Sequence, residues 1–155
     1  MNSLDTNLLL YATNADCAEH TRARPVIEEM IAAPGEWVIA DQVLLEYYRL
    51  VRNPAVLARP LSAAEAEKRL EFFREESGVP HCGYEIALWP EIAKQLGRPG
   101  FRAARTFDLV LAVTLRAAGV ERFLTRNVRN FRPFDFFEVV DPLATGRAPG
   151  GDVPR

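Results

Sequence analysis

The chain has 155 residues and a formal net charge of −2, from 19 basic and 21 acidic residues. That is the length of one domain with a real core, and 48% hydrophobic with 26% charged residues is the balance of an ordinary globular protein. These figures exclude a polycation and a wholly disordered chain; with no long apolar run and no leader pattern, the expected compartment is the cytoplasm, with no membrane span.

In chain order, Met1–Leu4 reads as a short strand, and a helix begins at Leu8, so Asp5 stands at a strand-to-helix junction. Asp is among the best N-caps. Ligands of open α/β sheets also gather at the carboxyl ends of strands. Asp5 therefore carries both readings. Residues 18–33 form an amphipathic helix closed by Pro34-Gly35. Cys17 and Cys82 show no metal or redox spacing, and His20 and His81 have no nucleophile or second His at motif spacing, so nucleophile–histidine chemistry has no support. Trp37–Ala40 is a short buried strand, and Asp41 is expected to cap a helix over Gln42–Val51 with Val43, Tyr47, Leu50 and Val51 on its apolar face. Glu46 lies at the margin of that face, where a Glu is ordinarily half-exposed and paired with Arg49 or Arg52. The pair Tyr47-Tyr48 beside Glu46 could stack on bases, but packing against the sheet is its expected role. Asn53-Pro54 ends the helix, and Ser62-Ala-Ala-Glu65 is a capping box opening the next, to about Glu76. Val79–Gly83 reads as a strand and Tyr84–Leu96 as a helix kinked at Pro90.

Within Thr106–Gly119, Asp108, Leu111, Ala112 and Leu115 fall at i, i+3, i+4 and i+7, on one helix face. Leu109, Val110 and Val113 cover most of the rest, the mark of a helix buried nearly all round. A carboxylate there is costly unless a cation or a metal compensates it. The local alternatives are a pair with Arg105 or the dipole at the helix start. From Arg98 to Arg132 eight arginines stand against two acids, Asp108 and Glu121, an excess that suits a phosphate-bearing partner. Arg122–Thr125 and Phe136–Val140 are the last strands, and Phe131, Phe134, Phe136 and Phe137 fit a core at the final one as well as they fit an interface. Residues 144–155 have the composition of a disordered tail, leaving 1–143 as the folded domain.

Short apolar strands alternating with helices imply an α/β fold, its central mainly parallel sheet flanked by helices with right-handed crossovers. In such a sheet Asp5, Glu46 and Asp108 converge on the carboxyl side, with Thr125 and Asn127 just past a strand. Three packed carboxylates raise one another's pKa unless a divalent cation neutralises them. Oxygen ligands without Cys or His select Mg²⁺ or Mn²⁺, which at a phosphodiester activates water and stabilises charge.

Four stretches in this order carry a family resemblance: Leu4-Asp5-Thr6-Asn7, Gln42–Pro54 around Glu46, Phe107-Asp108 with the apolar run after it, and Phe123-Leu124-Thr125-Arg126-Asn127 through Phe131. Val139–Pro142 resembles the family's last strand. Together they resemble the PIN-domain family and, within it, the VapC-like toxins of bacterial toxin–antitoxin pairs. The resemblance implies a three-layer α/β/α sandwich and a metal-dependent endoribonuclease, with Mg²⁺ or Mn²⁺ held by Asp5, Glu46 and Asp108 and with Thr6 and Thr125 steadying those acids. The family often has a further acid where Asn127 stands here, and a second Asp is frequent where Asn130 stands. Asn127 assists by orienting water but adds no charge, so the site carries −3 rather than −4. Arg105, Arg126 and Arg129 are the expected RNA phosphate contacts. The resemblance also implies a cognate antitoxin and a homodimer. Two other readings stay open: a PIN-like module that binds RNA or protein without cutting, and a stand-alone RNA-processing nuclease.

Overall fold

The computed structural model describes residues 1–144, so the tail expected over 144–155 lies, from residue 145 onward, outside the described residues. Strand β1 (Asn2–Leu4) runs into helix α1 (Thr6–Thr13), then α2 (His20–Ala32), β2 (Ile39–Ala40), α3 (Asp41–Val51) and α4 (Ala63–Glu71). After a π turn over Phe72–Glu76 come β3 (His81–Cys82), α5 (Trp89–Leu96), α6 (Thr106–Ala117), β4 (Arg122–Leu124), α7 (Val128–Phe131) and β5 (Glu138–Val140).

All strand pairs are parallel. One sheet has the order β1-β4-β5 and a second pairs β2 with β3. A bridge between Asn2 and Trp37 joins them, with Val38 N donating to the Asn2 carbonyl at 3.0 Å, so the strands read β3-β2-β1-β4-β5 across the molecule. The order reverses direction at β1. Right-handed crossovers must then place α1–α4 on one face and α5–α7 on the other. The contacts agree: α1 packs on α2 and α3, α3 on α4, and α6 on α5 and α7, which makes three layers.

Between the layers lies a core of Leu4, Leu8, Trp37, Tyr47, Phe123 and Leu124, with many aliphatic neighbours. A smaller cluster of Ile92, Leu109 and Val113 fastens α5 to α6. Phe131 packs on Phe123 with centroids 4.7 Å apart, and Phe134, Phe136 and Phe137 pack against the core beside it. Tyr47 is wholly buried with its hydroxyl 2.7 Å from that of Thr13, and Tyr48 holds Arg52 through its hydroxyl.

Four local expectations are corrected. Asp41 does not cap α3: Ala40 occupies that position with extended dihedrals, and the Asp41 carboxylate meets Arg74 of the π turn instead. A charge-assisted bond to a guanidinium is roughly twice as strong as one to a neutral backbone N–H. Pro90 does not kink a long helix; it sits in the first turn of α5, where a missing N–H costs nothing, after a short 3₁₀ turn over Ile86–Leu88. Only Ile39 and Ala40 of the expected strand pair with β3, because Trp37 and Val38 turn toward β1. On α3 the fully buried face includes Leu44, whereas Leu50 is half-buried.

Candidate active site

The strand order reverses between β1 and β4, and at such a point the two loops leave in opposite directions and open a crevice. Asp5 leaves β1 there, its N–H bonded to the Leu124 carbonyl at 2.9 Å, and Thr125 leaves β4 beside it. Asp5 is the cap the sequence offered, and it stands at the carboxyl end of β1. Its Oδ1 accepts the Thr6 N–H at 2.8 Å as the cap of α1, while Oδ2 accepts from Thr125 Oγ1 at 2.5 Å and Asn7 Nδ2 at 2.7 Å. Two donors satisfy Oδ2, and Oδ1 keeps a lone pair free of these bonds. Burial pushes the Asp5 carboxyl up to about 6, against the lowering effect of the Thr125 and Thr6 hydrogen bonds; Glu46 and Asp108 add like-charge repulsion.

Glu46 comes to this point on α3. Its Oε2 accepts from Thr6 Oγ1 at 3.1 Å, and its Oε1 lies 3.4 Å from Arg49, the pairing expected of a half-exposed Glu. Asp108 sits in the first turn of α6, and Asn130 Nδ2 donates to its Oδ2 at 3.0 Å. Burial raises the Asp108 pKa, the Asn130 bond and Arg105 lower it, and Glu46 raises it. The three acids therefore share one electrostatic environment. No three of His, Cys, Asp and Glu among the described residues stand close enough to ligate a single ion directly.

Thr6 and Thr125 are buried and hold acids, as expected of hydroxyl positions. Asn127 is exposed, and the group it uses is its backbone N–H, which donates to Thr125 Oγ1 at 2.8 Å. The amide that meets Asp108 belongs to Asn130. Asn7 is a further site residue that the sequence reading did not single out: it bonds Asp5, Thr125 (3.1 Å) and, through Oδ1, the Arg126 N–H (3.3 Å). Its signal was its place two residues after Asp5, where a short amide reaches back over the helix start.

The three arginines differ. Arg129 is exposed, Arg126 pairs with Asp141 at 2.8 Å, and Arg105 is half-buried with its guanidinium on the Asn130 carbonyl and over the Phe134 ring. A cavity of about 700 Å³ adjoins Glu46 between α3 and α6, lined by Gln42, Leu45, Tyr84, Phe107 and Val110 and largely apolar. No helix among the described residues is long and apolar enough to cross a membrane.

A sequence profile of the PIN domain matches residues 3–136. Ribonuclease VapC24 of Mycobacterium tuberculosis (strain ATCC 25618 / H37Rv) is 39% identical over 153 residues, covering 94% of this chain and 99% of that protein. Among solved structures, VapBC2 from Rickettsia felis, bound to a DNA fragment from its promoter, superposes with a TM-score of 0.61 at 17% identity, over 90% of this chain and 96% of that one. VapC20 of Mycobacterium tuberculosis, a sarcin-ricin loop cleaving toxin, gives a TM-score of 0.60 at 18% identity, over 79% of this chain and 87% of that one.

Proposed function

The chain belongs to the PIN-domain family, and from that premise we propose that it is an endoribonuclease toxin of a toxin–antitoxin pair, acting on RNA with the help of a divalent cation. The observation that carries the reading is the Asp5 carboxylate, buried at the strand crevice and pushed up to about 6 by burial and by two further acids. Negative charge so crowded is what a hard cation neutralises, and the donors are all oxygens. Asp5 through Oδ1, Glu46 and Asp108 would hold Mg²⁺ or Mn²⁺. Mg²⁺ usually keeps several waters, so the acids need not all reach it directly. When bound, it would supply water activation and stabilise charge on the phosphate.

The chain's own residues prepare that chemistry. Thr125 and Asn7 fix Asp5 Oδ2 and so aim Oδ1, while Thr6 ties Glu46 to the same helix start. Asn127 is exposed two residues after Thr125, to which its backbone N–H donates, and in this reading its side-chain amide orients the attacking water. Arg129, and Arg126 on release from Asp141, are the phosphate contacts in this reading. The pairing of VapBC2 in its solved complex supports an antitoxin partner here too, and cytoplasmic RNA is the proposed substrate. A homodimer is proposed as well, supported by Leu45, Phe107 and Tyr84, which leave apolar surface uncovered around the cavity.

The test is cleavage of total RNA by the purified protein with Mg²⁺ or with EDTA, for wild type and Asp108→Asn. Cutting should require both the metal and Asp108, with the variant at least about a hundredfold slower. RNA binding that survives EDTA, with no cutting at any Mg²⁺ or Mn²⁺ concentration, would replace the nuclease reading by a binding module.

A further inference from the structure

Arg105 closes the 3₁₀ turn Ala103–Arg105 that leads into α6, three residues before Asp108. Two of its guanidinium nitrogens, Nη2 and Nε, and one face of the group are turned inward. Nη2 donates to the backbone carbonyl of Asn130, the Cζ lies 4.5 Å from the Phe134 ring centroid, and Nε is buried with no partner among the described residues. Asn130 then returns the connection: its side-chain Nδ2 donates to Asp108 Oδ2 at 3.0 Å. Arg105, Asn130 and Asp108 thus close a ring between the start of α6 and the end of α7. A guanidinium held by its edge on a carbonyl and by its face on an aromatic ring offers no open fork to an outside phosphate.

We propose that Arg105 and Asn130 are positioning residues for Asp108: Arg105 fixes the backbone of Asn130, and the Asn130 amide fixes one oxygen of Asp108 and leaves the other to the cation. The inference rests on the proposed role of Asp108 as a metal-binding acid. An Asp in the first turn of a helix is free to rotate about χ1 and χ2, and one amide donor on Oδ2 selects a single orientation. Outer partners of this kind typically change metal affinity or activity by about tenfold to a hundredfold when removed. A purely structural role, closing the segment 126–131 onto α6, would change thermal stability alone.

The experiment compares wild type, Arg105→Ala, Asn130→Ala and the double variant. Mn²⁺ affinity is measured on the RNA-free protein by calorimetry, and kcat and KM on RNA, below the melting temperature of each. Asn130→Ala is the cleaner variant, because Arg105 bonds the backbone of residue 130 and keeps that contact. Each single variant should weaken Mn²⁺ binding and lower kcat by about tenfold, with KM unchanged within about twofold. The double variant should be no worse than the worse single one, because the two residues act as a unit. Arg105→Lys, which keeps the charge but not the fork, should fall between wild type and Arg105→Ala. Unchanged Mn²⁺ affinity with a lowered melting temperature would overturn the proposal. So would a raised KM with kcat unchanged and a salt slope reduced by about one, the mark of a phosphate contact. Wild type reports on the underlying functional reading and the differences from it report on the brace; a wild type that binds no Mn²⁺ overturns both.

Discussion

At Asp5 two demands meet on one side chain. It caps α1 through Oδ1, and it carries a charge that is almost completely buried. Its folded pKa of about 6 lies above its ordinary value of 3.8, so between those values the folded protein holds a proton that the unfolded chain releases. Stability from this group is therefore fully present below about pH 4 and is lost as pH rises through 6, a loss on the order of 2–3 kcal/mol. Asp5→Asn keeps an N-cap and cannot ionise. It should be more stable than wild type at pH 7.5 and nearly equal to it at pH 4, as read from urea midpoints at the two values. A wild type that gains stability relative to the variant on going from pH 4 to 7.5 would remove the argument. Divalent cation should narrow the gap at pH 7.5, because it binds the folded state.

Among the elements, α6 was legible in nearly every respect. Its apolar residues recur on every side but one, Leu109, Leu111, Ala112, Val113 and Leu115 are buried, and Gly119 ends it at φ +77. Nothing lies within 4 Å of a Cβ built at Gly119, so Gly119→Ala tests backbone conformation alone. It should cost about 1 kcal/mol, the penalty of a left-handed L-residue, and leave cleavage unchanged. A loss of cleavage without a loss of stability would mean that Gly119 serves the site. Helix α3 was legible only in part. Its apolar stripe and Glu46 were evident, but the partner of Asp41 was not, because Arg74 is 33 residues away and arrives on a π turn that no hydrophobic period announces.

On the scale of the molecule, the strand order β3-β2-β1-β4-β5 explains why residues spread from position 5 to position 130 meet at one crevice. The same architecture leaves Leu45 68% and Phe107 75% exposed on α3 and α6, on either side of the cavity. If that face joins two copies, Leu45→Glu should turn a dimer into a monomer in sedimentation, with circular dichroism unchanged. A wild type that sediments as a monomer at all concentrations would leave the face to another partner. Ser62→Ala, at the capping box far from the crevice, should cost about 1 kcal/mol of stability by thermal denaturation and nothing in cleavage or assembly.

The sequence by itself determined the alternation of short apolar strands with helices, the buried character of α6, the cap at Asp5 and the four stretches that carry the PIN-domain resemblance. These are local properties, written in periodicity, turn chemistry and residue type over a few positions. Only the tertiary structure decided which atoms meet. It put the Asn130 amide rather than that of Asn127 on Asp108, made Asn7 a partner of Asp5 and Thr125, turned Arg105 inward onto Phe134 and Asn130, and gave Asp41 to Arg74. The physical reason is that a hydrogen bond is settled over a few tenths of an ångström by the packing of whole layers, whereas a hydrophobic period constrains only which face of an element turns inward.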